Sequence, residues 1–379
     1  MPHPIPLSPS QKYPAFESIW KLGYTILHQT EISRMFPAPV FPGEDTTSKI
    51  IPAGRNPFFE TGKPFLEWLE NAYSHISNGS MPYGQDLAAI DPSTRPTLIE
   101  TLYEEVVPTS VEAQLMMRIY RNLPGILDST VSGHGIPMAD DLLGKLYTST
   151  LTASGSMIQL RRVIDLVGHK NPSAKYLEIG CGTRGATREI LDDVLGARAG
   201  GRRYGSYCFT DVSSYFLSGA RDEFRDCPGI SYATLNIEEP PSEQGIVENS
   251  YDVVVAVNVL HATRSLEETL RKRAQAPEAK WEVILVETTI ETVWLTIVLG
   301  RFSDYWKGRR DGRPTSPFIP VELWNQMLPK TMNVLVSSVS ESFTNGAGAG
   351  AGNGSIERLY ASLSTPLESA SLFHSKADA

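Results

Sequence analysis

The sequence has few of the features that mark secreted, metal-binding or membrane-spanning proteins. Only three cysteines occur among its 379 residues, and three scattered thiols form neither a disulfide framework nor a zinc site. The N-terminus lacks the charged and apolar regions of a signal peptide, and no apolar run approaches the roughly 20 residues that a membrane span needs. The sequence therefore predicts a cytoplasmic protein without a membrane segment or a metal site.

An excess of positive charge is also missing. The formal net charge is −9, whereas a protein that binds nucleic acid normally presents a basic face, so no nucleic-acid partner is expected. The local exception is a basic stretch, Lys307–Arg313. Hydrophobic residues make up 41% of the chain and charged residues 20%, as in globular proteins, and the length is sufficient for two lobes.

The first half of the chain predicts an arm and a helical lobe. Residues 1–55 are rich in proline, serine, threonine and glycine, which favours a linker or N-terminal arm. Residues 56–170 predict a helical lobe that either packs only or forms a lid over a substrate pocket, with a loop marked by Pro124, Gly133, Gly135 and Pro137. The predicted helices are Thr61–Asn78, Pro96–Val106, Thr109–Asn122, Ala139–Thr148 and Ser154–Val167.

From residue 171 onward, strands and helices alternate, which predicts an α/β core with a mostly parallel sheet over 171–363. Two strand-like runs near its end, Asn333–Val339 and Ile356–Ala361, predict an antiparallel hairpin at the sheet edge, and residues 364–379 predict a disordered tail. A loop is expected from Asp304 to Pro320. The other predicted strands are Lys175–Ile179, Tyr204–Thr210, Ile230–Leu235, Asp252–Val257 and Trp281–Val286; the helices include Ala186–Leu195, Ser213–Phe224, Ser265–Arg273 and Val321–Leu328.

The stretch from Tyr176 to Gly185 predicts a buried strand, a glycine turn and a helix start. Gly180, Gly182 and Gly185 fit the dinucleotide-binding pattern, which alone is a weak signal. Glu178, at the strand end, and Asp211, at the end of the next strand, favour S-adenosylmethionine (SAM) instead. They could receive the ammonium group and the ribose hydroxyls of that cofactor. The predicted edge hairpin also suits a methyltransferase sheet. The alternative is that both carboxylates are only solvated strand ends.

Several motifs together resemble the C-methyltransferase domain of fungal highly reducing polyketide synthases, over roughly residues 95 to 340. The resemblance implies a class I SAM-dependent methyltransferase, Rossmann-like, preceded by a helical lid. It would act on a β-ketoacyl chain held by an acyl carrier protein, beside other synthase domains. This chain would be an excised domain, a fragment or a freestanding relative. The motifs include Glu178-Ile179-Gly180, Phe209-Thr210-Asp211-Val212-Ser213, Asn258-Val259-Leu260-His261-Ala262-Thr263 and Asp311-Gly312-Arg313.

C-methylation of a β-ketoacyl chain needs a base, and His261 follows the fourth strand at its carboxyl end, where open α/β sheets bind ligands. Glu287 ends the fifth strand and could orient the imidazole. The resemblance implies that this histidine and glutamate act as a catalytic pair; the alternative is that His261 only caps a helix. Asn258 is a candidate for contacting the cofactor or orienting the enolate, and Asn236 for contacting the adenine.

The sequence departs from the family pattern at two cofactor positions. Arg184 stands where the family has a glycine, so a left-handed backbone there would cost about 1 kcal/mol or more and could crowd the cofactor. Asn236 replaces an aspartate. These changes leave open a catalytically silent methyltransferase-fold scaffold with impaired SAM binding. A small-molecule O-methyltransferase is another alternative, and a nicotinamide-dependent dehydrogenase is the least favoured.

Overall fold

In the computed structural model the chain forms two compact units. The first unit comprises Met1–Leu146 and Glu291–Trp306, and the second comprises Tyr147–Ile290 and Lys307–Ala379. The described residues are 22–23, 26, 64–65, 67–69, 71–72, 89–91, 93–108, 110–127, 130–132, 135–152, 155–196, 200–247, 250–274, 282–289, 293–331 and 357–362.

The first unit is helical in its described residues. Ser110 caps helix α2 (Val111–Leu127), since its hydroxyl oxygen accepts a hydrogen bond from the Ala113 amide at 3.0 Å. Phe65 and Leu69, four residues apart in the predicted helix Thr61–Asn78, are both buried. Its helices are α1 (Arg95–Val106), α2 (Val111–Leu127), α3 (Gly135–Met138) and α9 (Val293–Leu299), which packs against α2; α4 (Leu142–Thr152) crosses the division between the units.

The predicted end of α2 was wrong. Pro124 was expected to mark a loop, but the helix continues to Leu127. A proline inside a helix removes one backbone hydrogen bond and is unfavourable by about 3 kcal/mol. The apolar face continues past it, because Leu123 is 6% exposed and Ile126 is fully buried. Burial of this face offsets the local preference for a break.

The helix before the sheet belongs with the sheet rather than with the helical lobe. The sequence predicts a helical lobe over residues 56–170, whereas the units divide after Leu146 and α5 (Gly155–Lys170) lies in the second unit. The segment Glu291–Trp306, predicted as part of the core, groups with the first unit. The apolar face of α5 groups with the sheet because its side chains are buried in one cluster with those of the strands. The α5 side chains in this cluster are Met157, Leu160, Val163, Ile164 and Val167.

The second unit contains a six-stranded sheet in the order β3-β2-β1-β4-β5-β6. The first five strands are parallel, and β6 pairs antiparallel with β5, as predicted for the edge. The first strand of the predicted hairpin, Asn333–Val339, lies outside the described residues. The strands are β1 (Lys175–Ile179), β2 (Ser206–Asp211), β3 (Ile230–Thr234), β4 (Val253–Val257), β5 (Glu282–Thr288) and β6 (Glu357–Ser362).

The helices of this unit follow the predicted alternation with two differences. The predicted helix Ala186–Leu195 is a short α-helix that continues as a π-helical turn, Glu189–Val194. The predicted loop from Asp304 to Pro320 begins with a 3-10 helix, Ser303–Asp311. The remaining helices are α6 (Gly185–Arg188), α7 (Ser214–Glu223), α8 (Leu266–Ala274) and α10 (Val321–Thr331), with 3-10 turns at Pro241–Gln244 and Leu260–Ala262.

Both faces of the sheet are covered, as the apolar strands predict. Along β4, Val253 and Val255 join one buried cluster, while Val254 and Ala256 join the other. Because the strands are parallel and buried on both sides, polar groups concentrate at their ends. Within the described ranges, no helix is long and apolar enough to cross a membrane.

Two leucines of α10 can test how much the buried cluster that contains Val254 and Ala256 contributes to the stability of the fold. Leu328 is fully buried and Leu323 is 39% exposed. We expect Leu328→Ala to lower the free energy of unfolding by about 2–5 kcal/mol, because it leaves a cavity. Leu323→Ala, the matched control on the same helix, should change it by less than about 1 kcal/mol. Denaturant unfolding measures both, and equal losses would contradict the packing described.

Candidate functional site

The candidate site lies at the carboxyl edge of the sheet in the second unit. The parallel strands β2, β1, β4 and β5 are neighbours in that order, so the segments that follow them meet at one edge. Open α/β sheets bind ligands at this edge. The topology therefore brings to this edge the glycine turn, Asp211, Asn258, His261 and Glu287.

Positive φ angles at Gly180 (64°) and Gly182 (48°) shape the glycine turn. A Cβ added at Gly180 would lie 2.5 Å from a methyl group of Val259, in the segment after β4. Glycine is therefore needed at Gly180 for both backbone conformation and close packing. Among the described residues, a Cβ at Gly182 would meet only the Gly180 carbonyl oxygen, at 3.8 Å, so these residues leave the backbone open to a ligand there.

Asp211 braces the glycine turn from the neighbouring strand. Its Oδ2 accepts a hydrogen bond from the Gly182 amide at 2.9 Å, and its Oδ1 accepts one from the Ser213 amide at 2.8 Å. Burial raises the pKa of this carboxyl, against the opposing effect of the two amides. Each oxygen keeps a second lone pair, so acceptors remain for the hydroxyl groups of a ligand.

Glu178 is only 1% exposed and is bonded to neighbouring elements. Its Oε2 accepts hydrogen bonds from the hydroxyl groups of Thr187 in α6, at 2.8 Å, and of Tyr207 in β2. Burial raises the pKa of Glu178, and these hydrogen bonds oppose the shift. The carboxylate thus ties β1 to β2 and to the helix after the turn. Its predicted contact with a ligand ammonium group stays a prediction.

Arg184 has the left-handed backbone that the family glycine would favour, with φ at 71° and ψ at 13°. Its side chain points to α7, where Nε donates to Oε2 of Glu223 at 2.6 Å. Arg188 donates to the same carboxylate, and a Cβ at Gly219 would lie 2.9 Å from Nη1 of Arg184. Against the opposing effect of burial, the two arginines lower the pKa of Glu223. The guanidinium is therefore accommodated along α7.

Asn236 closes its own turn. Its side-chain oxygen accepts a hydrogen bond from the Glu238 amide at 3.0 Å. Gln244 bonds both backbone groups of Asn236, accepting from the amide at 2.7 Å and donating to the carbonyl at 2.9 Å. An aspartate oxygen would make the same turn contact. The departure from the family pattern therefore preserves this turn, and the predicted adenine contact stays a prediction.

Asn258 links the ends of β4 and β5. Its side-chain oxygen accepts hydrogen bonds from the Thr288 amide at 2.8 Å and from the Thr288 hydroxyl group at 3.0 Å. Its φ of 55° turns the chain sharply after β4, in a conformation that asparagine tolerates better than most residues. This turn leads into the segment that carries His261.

His261 and Glu287 are in direct contact, and their catalytic role stays a prediction. Nδ1 of His261 lies 2.7 Å from Oε2 of Glu287, which is fully buried. Oε1 of Glu287 accepts hydrogen bonds from the amides of Val259, at 3.1 Å, and Leu260, at 2.7 Å. An ionised carboxylate only accepts, so beside it a neutral imidazole would carry its proton on Nδ1 and keep a lone pair on Nε2. Chemically, the pair can remove a proton from a bound carbon or oxygen acid.

Comparisons with known proteins agree with this geometry. Residues 177–276 match the family model described as "Methyltransferase domain". A highly reducing polyketide synthase of Pyrenophora dematioidea is 37% identical over 272 residues, which cover 70% of this chain and 10% of that protein. The chain has fungal highly reducing polyketide synthases as homologues and polyketide synthase C-methyltransferase domains as structural neighbours. It spans about a tenth of the length of the curated relatives it matches.

Two solved structures share the fold of this chain. The trans-methyltransferase CalH, whose structure is a complex with SAH, is 26% identical with a TM-score of 0.74, covering 94% of this chain and 92% of that one. The CurJ carbon methyltransferase is 23% identical with a TM-score of 0.72, covering 95% and 94%. The predicted class I methyltransferase fold is therefore confirmed.

Several site residues of the domain escaped sequence reasoning. Val212, 65% exposed directly after Asp211, offers an apolar surface beside the glycine turn. Phe318 places its ring centroid 4.9 Å from that of His261. Arg313 was noted only as part of a motif, although it donates to the His261 carbonyl oxygen. An apolar residue after a strand end was a usable signal for Val212, whereas the other two contacts depend on the tertiary structure.

The buried carboxyl of Glu178 predicts a pH-dependent stability. Because its pKa is raised in the folded state, it favours folding most at low pH and loses that contribution as pH rises above the ordinary value of about 4.3. Glu178→Gln does not titrate, so the stability of the native chain minus that of the variant should fall as pH rises. Denaturant unfolding between pH 4 and pH 7 measures this difference, and a difference independent of pH would contradict it.

Arg184 allows a matched pair of substitutions. Arg184→Gly loses an ion pair worth about 0.2–1 kcal/mol but relieves left-handed strain of about 1 kcal/mol, so its stability should stay close to native. Arg184→Ala loses the pair and keeps the strain, so it should be about 1 kcal/mol less stable than Arg184→Gly. Denaturant unfolding compares them. Equal stabilities would show that the backbone strain is absent.

Proposed function

We propose that this domain transfers a methyl group from SAM to the α-carbon of a β-ketoacyl thioester. The observation that carries the proposal is the contact between His261 and the fully buried Glu287, at the same sheet edge as the glycine turn. The relatives are polyketide synthases, which supports a substrate held by an acyl carrier protein beside other synthase domains, in the cytoplasm.

The residues around the glycine turn fit the cofactor. The open backbone at Gly182 would admit its amino acid portion, the remaining lone pairs of Asp211 would accept from its ribose hydroxyls, and the exposed Val212 would contact its adenine. The SAH in the CalH complex supports a cofactor of this chemistry. Bound there, SAM would supply an electrophilic methyl group. The part of the chain that the structure describes holds no cluster of metal-ligating side chains.

The pair suits the deprotonation that C-methylation requires. A carbon between a ketone and a thioester is acidic enough for an imidazole to remove its proton. Nε2 of His261 would accept that proton, while Glu287 would hold the ring orientation and stabilise the imidazolium. Since Glu287 is bonded to two backbone amides as well, its own orientation is constrained. The resulting enolate carbon would then attack the methyl group, so that the bond between this methyl group and sulfur breaks and SAH leaves.

The silent-scaffold alternative depended on Arg184 and Asn236. The Arg184 guanidinium lies against α7, and Asn236 keeps its turn closed, so neither contact favours that alternative over an active enzyme. No contact of the described residues favours an O-methyltransferase in particular. The experiment therefore compares methyl transfer to the thioester with methyl transfer to a hydroxyl group.

The test uses two histidines of the second unit. With a β-ketoacyl pantetheine thioester as substrate, His261→Ala should lower methyl transfer by about 10²–10⁴-fold, because the base is lost. His169→Ala, at an exposed position of α5, is the matched control and should leave the rate unchanged. Calorimetry should find SAM dissociation constants within about threefold of each other for all three proteins.

Each alternative has its own outcome. Native protein that does not bind SAM would support the silent scaffold. Binding with transfer to a hydroxyl group, but not to the thioester, would support the O-methyltransferase. Transfer to the thioester that survives His261→Ala would place the base elsewhere.

A further inference from the structure

A buried arginine holds the backbone that carries His261. Arg313 is 5% exposed, and its guanidinium contacts three backbone carbonyl oxygens. Nη1 donates to those of His261 and Pro317, and Nη2 donates to that of Thr263 at 2.6 Å. These contacts tie the residues on both sides of Ala262 to the loop after Asp311. A planar fork with donors on both nitrogens is suited to this bridging.

Gly308 makes room for this guanidinium. A Cβ at Gly308 would lie 2.3 Å from Cζ of Arg313 and 2.6 Å from its Nε. Real Cβ atoms do not approach so closely, so the arginine could not keep this position beside an alanine. The 3-10 helix Ser303–Asp311 therefore provides a space that the Arg313 side chain fills.

Asp311 connects the same guanidinium to α8. Its Oδ2 accepts a hydrogen bond from Nη2 of Arg313 at 3.1 Å and another from the Leu266 amide, in the first turn of α8, at 2.8 Å. Phe318, at the end of the same loop, packs its ring against His261. The loop after Asp311 thus contacts the backbone of the His261 segment through Arg313 and the imidazole ring through Phe318. Asp311 also bonds the start of α8, the helix that follows this segment.

Carboxylates around this segment also favour the charged form of the Arg313 guanidinium. Burial lowers the pKa of Arg313, and the carboxylates of Asp311, Glu287 and Glu238 oppose that shift. Glu238 also accepts a hydrogen bond from the Arg264 amide at 2.8 Å. Arg313 therefore balances negative charge close to the buried Glu287.

From these contacts we propose that Arg313 is a positioning residue, which holds the His261 segment so that Nδ1 of His261 meets Glu287. The inference rests on the proposed methyl transfer and names the group that orients its base. Displacement of a reacting group by about 1 Å can cost about 10²-fold in rate. Arg313 acts through backbone carbonyls and does not itself exchange a proton with the substrate.

The experiment measures methyl transfer to a β-ketoacyl pantetheine thioester by the full chain. Arg313→Met should lower kcat by about 10–100-fold, with KM and the SAM dissociation constant within about threefold of native. Arg313→Lys should recover part of the loss, since one ammonium group cannot bridge all of these carbonyls. Arg310→Met, which removes an exposed arginine from the same 3-10 helix, is the matched control and should leave kcat unchanged.

A double-substitution cycle separates positioning from general stability. If Arg313 acts through His261, Arg313→Met should change the residual rate of His261→Ala by less than about twofold. An additive loss in that background, or native kcat in Arg313→Met, would overturn the inference. Gly308→Ala is a second variant, for use if Arg313→Met does not fold, and it should lower kcat by displacing the guanidinium.

One readout does not depend on turnover. In the native chain, proton NMR should detect the downfield resonance of the His261 Nδ1 proton bonded to Glu287, assigned by its loss in His261→Ala. Arg313→Met should broaden or shift this resonance, and Arg310→Met should preserve it. A native chain that transfers no methyl group would refute the proposed function alone. An unchanged resonance in Arg313→Met would refute the positioning role alone.

Discussion

The buried carboxylate of Glu287 is the constraint on which the candidate site depends. One of its oxygens accepts from two consecutive backbone amides, and the other faces Nδ1 of His261. A fully buried carboxylate is very unfavourable unless such donors surround it. The chain after β4 must therefore turn towards β5 to supply them, and the left-handed Asn258 makes that turn. Burial of one charge thereby determines the conformation of the segment that carries the proposed base.

The glycine turn is held by the same kind of interaction. Asp211 and Glu178, at the ends of adjacent strands, direct their oxygens to donors within the turn and after it, respectively. Burial raises the pKa of both carboxyls, and the hydrogen bonds that each accepts oppose this shift. At Arg184 a left-handed backbone is combined with an ion pair between the side chain and Glu223. Gly219 has no side chain and therefore leaves room for the Arg184 guanidinium. Function and stability thus share the same few residues.

The wrong predictions have a common origin in burial. Pro124 is a local signal for a helix end, yet α2 continues because its apolar face is buried beyond that residue. Helix α5 resembles the preceding helices in periodicity, but its apolar side chains pack with the sheet. Local preferences amount to a few kcal/mol at most, and the burial of several side chains exceeds them. The sequence does not state which surface a helical face will meet.

The sequence by itself determined the parallel α/β core, the glycine turn and the residue types at the ends of its strands. These depend on short-range patterns, since alternation, glycine and strand-end polarity are visible along the chain. It also placed His261 after the fourth strand and Glu287 at the end of the fifth, which is its neighbour. Only the tertiary structure decided that Glu178 faces Thr187 and Tyr207, and that Arg313 holds the His261 backbone. Such contacts join residues 9 to 52 positions apart, and their geometry is set by packing.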